Sequence, residues 1–173
     1  MTTVLETPRL ILRHLCHDDV DAIFAVIGDA EAMRYYPRTF QRKDAAEWIE
    51  RNRKRYVEQG HGLYAAVLKA TGEVIGDCGL VRQQVEGLSL LEVGYHVRRD
   101  QWGNGYATEA ARACMSYAFH NLKADKVVSL IRPENLPSRR VAERNGMKIE
   151  RQITYLGLPH LIYAIGRGEY GKA

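Results

Sequence analysis

Two side chains able to take a proton near neutral pH, Glu92 and His96, share one apolar–polar run, Leu90-Leu91-Glu92-Val93-Gly94-Tyr95-His96-Val97. Strict alternation puts Leu91, Val93, Tyr95 and Val97 on one face of a strand, and Leu90, Glu92, Gly94 and His96 on the other. Such a face suits deprotonation of an amine. A reference α-amine titrates near ~8 and a lysine near ~10.4, so both need a base at neutral pH. The plain alternatives are a solvent-facing or salt-bridged carboxylate and a structural imidazole. Directly after this run, Gln101-Trp102-Gly103-Asn104-Gly105-Tyr106-Ala107-Thr108 turns a strand pattern into a helix pattern. Glycines there let the backbone approach a bulky group and leave the first N–H groups of the helix open to phosphate.

Three other readings of that segment compete. Asn104-Gly105 would be a hairpin turn between strands, but Ala107 onward are helix formers in a helical stripe. The glycines could serve helix–sheet packing alone. A Rossmann dinucleotide turn, which would make the chain a nucleotide-dependent oxidoreductase, matches Gly103-x-Gly105, with Glu134 after the next strand as a ribose ligand. Thr108 stands where its third small residue belongs, however, and residues 98–102 separate the strand from the first glycine.

The elements that must position these groups follow from periodicity. Residues 7–13 read as a strand after Pro8, and residues 18–29 as a helix with Val20, Ile23, Phe24 and Ile27 inward. A second helix spans about 44–59, with Ala45, Trp48, Ile49 and Tyr56 on its apolar stripe and Gly60 as its stop. A hairpin follows, 63–69 and 73–82 around Ala70-Thr71-Gly72, then a polar connection over 83–89 and the strand 90–97. The next helix reaches about Asn121, and its small face is Ala107, Ala110, Ala111, Cys114, Ala118 and Leu122. Residues 126–131 form a continuous apolar strand, as in a buried parallel position. A short helix begins near Asn135-Leu136-Pro137-Ser138 and stops at Asn145-Gly146. Strands over 148–155 and 161–167 flank a Gly157-Leu158-Pro159 turn. Residues 1–173 thus read as one mixed α/β domain around a single sheet, with a parallel β-α-β piece in its second half.

At 173 residues, 46% hydrophobic and 27% charged, the composition is that of a soluble globular chain with a proper core. A net charge of +4 favours an anionic ligand, but the basic residues are dispersed and carry no nucleic-acid signature. Cys16, Cys78 and Cys114 have no metal spacing, so no metal is expected, and an odd count fits free thiols in a reducing cytoplasm. Cys114 falls on the small face of its helix and reads as core. Neither a signal-peptide pattern nor an apolar run of membrane-spanning length is visible, so a cytoplasmic protein without membrane contact is expected.

In order along the chain stand Thr7-x-Arg9-Leu10-x-Leu12-Arg13, Ile75-Gly76-x-x-Gly79-Leu80 and Glu92-Val93-Gly94-Tyr95. Then come Trp102-Gly103-Asn104-Gly105-Tyr106-Ala107-Thr108-Glu109-Ala110 and Asn135-x-x-Ser138-x-Arg140-Val141-x-Glu143-x-x-Gly146-Met147. This series resembles the GNAT superfamily of acyl-CoA-dependent N-acyltransferases, and within it the branch acting on ribosomal-protein N-termini. The resemblance covers nearly the whole chain. It implies the GNAT fold, a largely antiparallel mixed sheet with a central splayed parallel strand pair, flanked by helices. It further implies that Gly103, Asn104, Gly105, Tyr106, Ala107 and Thr108 cradle the CoA pyrophosphate. Trp102 departs from the superfamily's usual Gln or Arg, at little cost because backbone N–H groups make most contacts in such loops.

The same resemblance has the pantetheine arm pair with exposed backbone at Val97, and sets Asn135 and Ser138 beside the pantetheine and thioester. Direct attack by the amine on acetyl-CoA then needs no protein nucleophile. Glu92 is the expected base, through a water, with His96 second. Ser138 is the expected donor to the thiolate, with Tyr155 a further candidate, and a backbone N–H near Val97 would polarise the carbonyl. Helix capping is the structural alternative for both Ser138 and Asn135. Residues 33–40, with Tyr35, Tyr36 and Phe40, and Trp48 and Tyr56 are expected either in the acceptor-cleft wall or in ordinary packing. The partners implied are acetyl-CoA and an amine acceptor, either a protein N-terminus or a small molecule, with a homodimer by analogy. A CoA-binding sensor or scaffold without transfer activity is the alternative.

Overall fold

The structure, a computed structural model, describes residues 2–171. It opens on two short strands, β1 (Thr3–Glu6) and β2 (Leu10–Arg13), where the sequence predicts one over 7–13. Pro8 has no N–H for a ladder, and Thr7 turns the chain instead: its Oγ1 accepts the Leu10 N–H at 2.9 Å. A 3-10 turn (His17–Asp19) leads into α1 (Val20–Ile27), and α2 (Arg42–Gln59) ends at Gly60 in the left-handed region. Strand β3 (Leu63–Leu68) precedes β4 (Val74–Val85) and β5 (Leu88–Val97). The polar connection expected over 83–89 is therefore mostly strand. The turn is Glu86-Gly87, both residues at positive φ (50° and 79°), which is the two-residue hairpin geometry. Gln83 and Gln84 extend the ladder past the core, with Val85 buried beside them.

Helix α3 (Tyr106–His120), strand β6 (Lys126–Ile131) and helix α4 (Leu136–Arg144) follow the predicted order. The chain closes with β7 (Lys148–Tyr155) and β8 (Leu158–Gly166), whose turn is Leu156-Gly157 and not 157–159. The strands lie in the order β1-β2-β3-β4-β5-β6-β8-β7, antiparallel throughout except for β5 and β6.

Strand β3 shows how the layers form. Tyr64, Ala66 and Leu68 face one way, into a core with Ala110, Ala111, Cys114, Met115 and Ala118 of α3. Ala65 and Val67 face the other way, against Ile23, Val26 and Ile27 of α1 and Ala45 and Ile49 of α2. Both faces of the sheet centre are covered, which explains an uninterrupted apolar strand. The small residues of α3 bring its axis close to the sheet, and Cys114 is fully buried there as expected. Among the described residues no helix is long and apolar enough to cross a membrane.

Candidate active site

The parallel pair β5–β6 meets at a single bridge, Glu92 opposite Val128. Beyond it the strands diverge. Arg98 donates its N–H to Ile75 O on β4 at 2.7 Å, so by strand alternation the peptide groups of Tyr95 and Val97 face the opened side. The gap is pinned from both walls: Ser129 Oγ donates to Val93 O at 3.1 Å, and Tyr95 Oη donates to Ser138 O at 2.9 Å. The Val97 carbonyl accepts the Trp102 indole N–H at 2.7 Å. Trp102 thus ties the loop to the end of β5, and the Val97 N–H is left facing the gap with the peptide groups of Tyr95.

After that strand, Gly103 and Gly105 both take φ +80°. A Cβ built on Gly103 would meet nothing, and one on Gly105 would meet only Arg9 Nη2 at 3.6 Å. The glycines are therefore required by backbone conformation, not by helix–sheet packing. Gly105 is the N-cap of α3 and has no side chain to offer, and the first intrahelical bond runs from Glu109 N–H to Gly105 O at 3.0 Å. The N–H groups of Tyr106, Ala107 and Thr108 precede it, open at a positive helix end. Thr108 Oγ1 is buried without a partner. Asn104 braces the loop from within, its Nδ2 donating to Gln101 O at 3.1 Å. Arg9 clamps it from outside: its Nη1 donates to Asn104 O at 2.9 Å, its Nε to Glu109 Oε2 at 2.7 Å, and it stacks on the Tyr106 ring. Open N–H donors, an unpartnered hydroxyl and the β5–β6 gap in line with them fit a pyrophosphate followed by an extended amide chain.

Near the β5–β6 bridge lies a cleft of about 290 Å³. It brings together Glu92, His96, Asn135, Ser138 and Tyr155, with Tyr35, Tyr36 and Trp48 as aromatic wall. Val97 and residues 103–108 lie outside this cleft, at the loop end of the gap. Glu92 is half-buried and held at both oxygens, by Gln83 Nε2 at 2.8 Å and by the Leu130 N–H at 3.1 Å. Burial pushes its carboxyl up, against the opposing effect of those hydrogen bonds. A carboxylate with a raised pKa is a stronger proton acceptor than an ordinary one.

His96 sits directly opposite Asp77 across β4–β5, with Nδ1 2.7 Å from Asp77 Oδ1. Trp48 Nε1 donates to Asp77 Oδ2 at 2.7 Å, so both carboxylate oxygens accept and Nδ1 carries the imidazole proton. The other nitrogen, Nε2, lies 2.6 Å from the Tyr36 hydroxyl. The Asp77 side chain is 1% exposed and that of His96 is 12% exposed. Burial works to lower the His96 pKa, but the charge and hydrogen bond of Asp77, helped by Glu92, raise it overall. Burial raises the Tyr36 hydroxyl. Asp77 and Gln83 are absent from the sequence-derived set. The available signal for Asp77 is a lone carboxylate inside the buried run Ile75-Gly76-Asp77-Cys78-Gly79-Leu80.

Asn135 caps α4, its Oδ1 accepting the Ser138 N–H at 3.2 Å, so the capping geometry is present. The Ser138 hydroxyl has no hydrogen-bond partner among the described residues and opens on the cleft. Tyr155 donates to Gln83 Oε1 at 3.0 Å, which ties it to the Glu92 side of the site. Tyr56 packs in the core and donates to Leu63 O. The three cysteines are free, with Cys78 and Cys114 buried.

Residues 9–148 match the acetyltransferase (GNAT) domain family. YkkB of Bacillus subtilis (strain 168) is 38% identical over 93% of this chain and 94% of its own. An acetyltransferase structure from Agrobacterium tumefaciens str. C58 superposes with a TM-score of 0.81 at 28% identity, covering 95% of this chain and 94% of that one. Mycobacterium smegmatis RimJ, crystallised with CoA-disulfide, shares the fold at a TM-score of 0.72 and 23% identity, over 92% of this chain and 83% of its own. With the open-ended α3 and the splayed β5–β6 pair, the domain match and the likeness to YkkB establish the chain as an acyltransferase of the GNAT acetyltransferase family.

Proposed function

We propose that this chain moves an acetyl group from acetyl-CoA to a primary amine by direct attack within a ternary complex. The observation that carries the reading is one cleft, beside the β5–β6 bridge, lined by both a held carboxylate and a hydroxyl without a partner. In this reading the N–H groups of Tyr106, Ala107 and Thr108, with the rest of residues 103–108, bind the pyrophosphate, and the Val97 N–H pairs with the pantetheine arm. Glu92 takes the amine proton through a water, and its raised pKa suits that task. The Ser138 hydroxyl donates to the departing thiolate, and Asn135 keeps Ser138 in place while lining the thioester end. Asp77 fixes the His96 tautomer and leaves Nε2 to exchange a proton with Tyr36, a second proton route at the acceptor wall. The acceptor is a protein N-terminal α-amine or a small amine. The motif resemblance to the ribosomal-protein N-terminal branch supports the first, and the modest cleft volume supports the second.

The test is steady-state release of CoA thiol from acetyl-CoA across a panel of primary amines, with wild type and Glu92→Gln. Transfer predicts acceptor-dependent release that falls sharply in the variant while acetyl-CoA still binds. Tight acetyl-CoA binding with no turnover on any amine would overturn the transferase reading in favour of a sensor or scaffold.

A further inference from the structure

One face of α2 carries charge that the proposed mechanism does not use. Arg51 and Arg55 stand one helical turn apart and both line the cleft, on the same face as Trp48. Away from that face, Arg42 pairs with Asp21, Arg53 with Glu50 and Lys54 with Glu58. Among the described residues neither Arg51 nor Arg55 is paired with a carboxylate. Arg51 lies over the Trp48 ring at 5.6 Å, and Arg55 Nη1 reaches only the neutral Asn52 Oδ1 at 3.2 Å. Like charges at this spacing on a helix repel. Arg55 is half-buried, and its burial together with the Arg51 charge works against its own ionisation. Glu92 offsets this only through space: its charge favours the Arg55 cation, but its oxygens are hydrogen-bonded to Gln83 and the Leu130 N–H and make no ion pair with either arginine. Arg132, also at the cleft, is engaged with Glu134. The cleft therefore holds two guanidinium forks, set against an aromatic wall, that lack the planar anion they match.

We propose that the acceptor amine carries a carboxylate, and that Arg51 and Arg55 bind it while the amine is presented toward Glu92. This deepens the transferase reading and rests on it. The chemistry is shared by a small amino acid and by a peptide whose second residue is acidic. A polycationic amine is the acceptor class that this wall disfavours.

Matched acceptors test it. One pair is 4-aminobutyrate against 4-aminobutyramide. The other is Ser-Glu-Ala against Ser-Gln-Ala, both with amidated C-termini. kcat/KM is measured for each with wild type, Arg51→Gln and Arg55→Gln, and referred to the fraction of unprotonated amine. Wild type is expected to favour the carboxylate member of at least one pair by roughly tenfold to hundredfold, the range for a charge-assisted hydrogen bond. The pair that shows the preference identifies the source. In the variants that ratio falls toward one. Because it is internal to each protein, a partly destabilised variant does not distort it. Thermal unfolding with CoA plus each acceptor reads the same preference without turnover. A midpoint difference that persists without turnover on any amine would sink the transfer reading, and the acceptor proposal with it, leaving only a carboxylate contact at Arg51 and Arg55. Equal treatment of the two members by wild type in both measurements, or an undiminished preference in both variants, would overturn the proposal.

Discussion

Replacing Asp77 with Asn changes one buried charge and almost no volume, so its effect can be worked from the hydrogen bonds alone. Asp77 is 1% exposed and accepts from Trp48 Nε1 and His96 Nδ1, each at 2.7 Å. Asn offers one acceptor and one donor group. Whichever way the amide turns, its NH₂ faces one of those two donors. Facing Trp48, it leaves buried donors opposed. Facing His96, it donates to Nδ1 and moves the imidazole proton to Nε2, where the Tyr36 hydroxyl accepts it. One arrangement leaves buried donors opposed and both exchange a charged acceptor for a neutral one, at a cost of about 1–3 kcal/mol of unfolding free energy, or roughly 2–12 °C in Tm for a domain of this size. The pH dependence has a definite sign. His96 is held above its ordinary range in the folded protein, mainly through Asp77 acting against burial. That stabilisation is complete below the unfolded value of ~6.5. It is lost as pH rises through the folded pKa. The gap between wild type and Asp77→Asn is therefore widest in mild acid and narrows as pH rises through the folded pKa of His96. Thermal unfolding of both proteins across that range is the assay. A variant as stable as wild type, or a gap that widens with pH, would refute the charge pair.

Four further changes separate the roles assigned above. Glu92→Gln lowers kcat by roughly 10²–10⁴-fold while titration calorimetry with acetyl-CoA still gives the wild-type dissociation constant. In wild type, kcat/KM falls as acid protonates the base, and burial of Glu92 starts that fall above the ordinary carboxylate range; a pH–rate profile reads it directly. Gly105→Ala forces a Cβ into φ +80° without a steric clash, costing about 1–2 kcal/mol in urea unfolding and weakening acetyl-CoA binding. Ser138→Ala lowers kcat but keeps the Asn135 cap and the stability, whereas Asn135→Ala loses about 1 kcal/mol by melting α4 at its start.

Much of the candidate site is legible in the sequence because its elements lie along one stretch of chain. The alternation of β5, the glycine turn and the small-residue stripe of α3 are local patterns, and local patterns survive in a single sequence. The Asp77–His96–Tyr36 chain is not local. It depends on the β4–β5 register, which in a hairpin is set by the turn. Glu86-Gly87 was hidden because Glu seldom takes positive φ, so residues 83–89 read as a polar connection. Placing that turn pairs Asp77 with His96 and Gln83 with Leu90 at once. Strand β1 was missed for a related reason: Thr3–Glu6 is half exposed at the sheet edge and has no two-face burial to write an apolar run. Trp102, read as a tolerated departure in the phosphate loop, binds the Val97 carbonyl through its indole, a contact that a motif comparison does not contain.

The most direct test of the account is thermal unfolding of the wild-type chain with acetyl-CoA, and separately with NADH. A ligand held by the native state at ~100 times its dissociation constant adds about 2.7 kcal/mol, which is roughly 5–11 °C for a domain of this size. The account predicts a rise of that order with acetyl-CoA and none with NADH. No rise at saturating acetyl-CoA, or an equal rise with NADH, would contradict the pyrophosphate cradle at residues 103–108 and the function built on it.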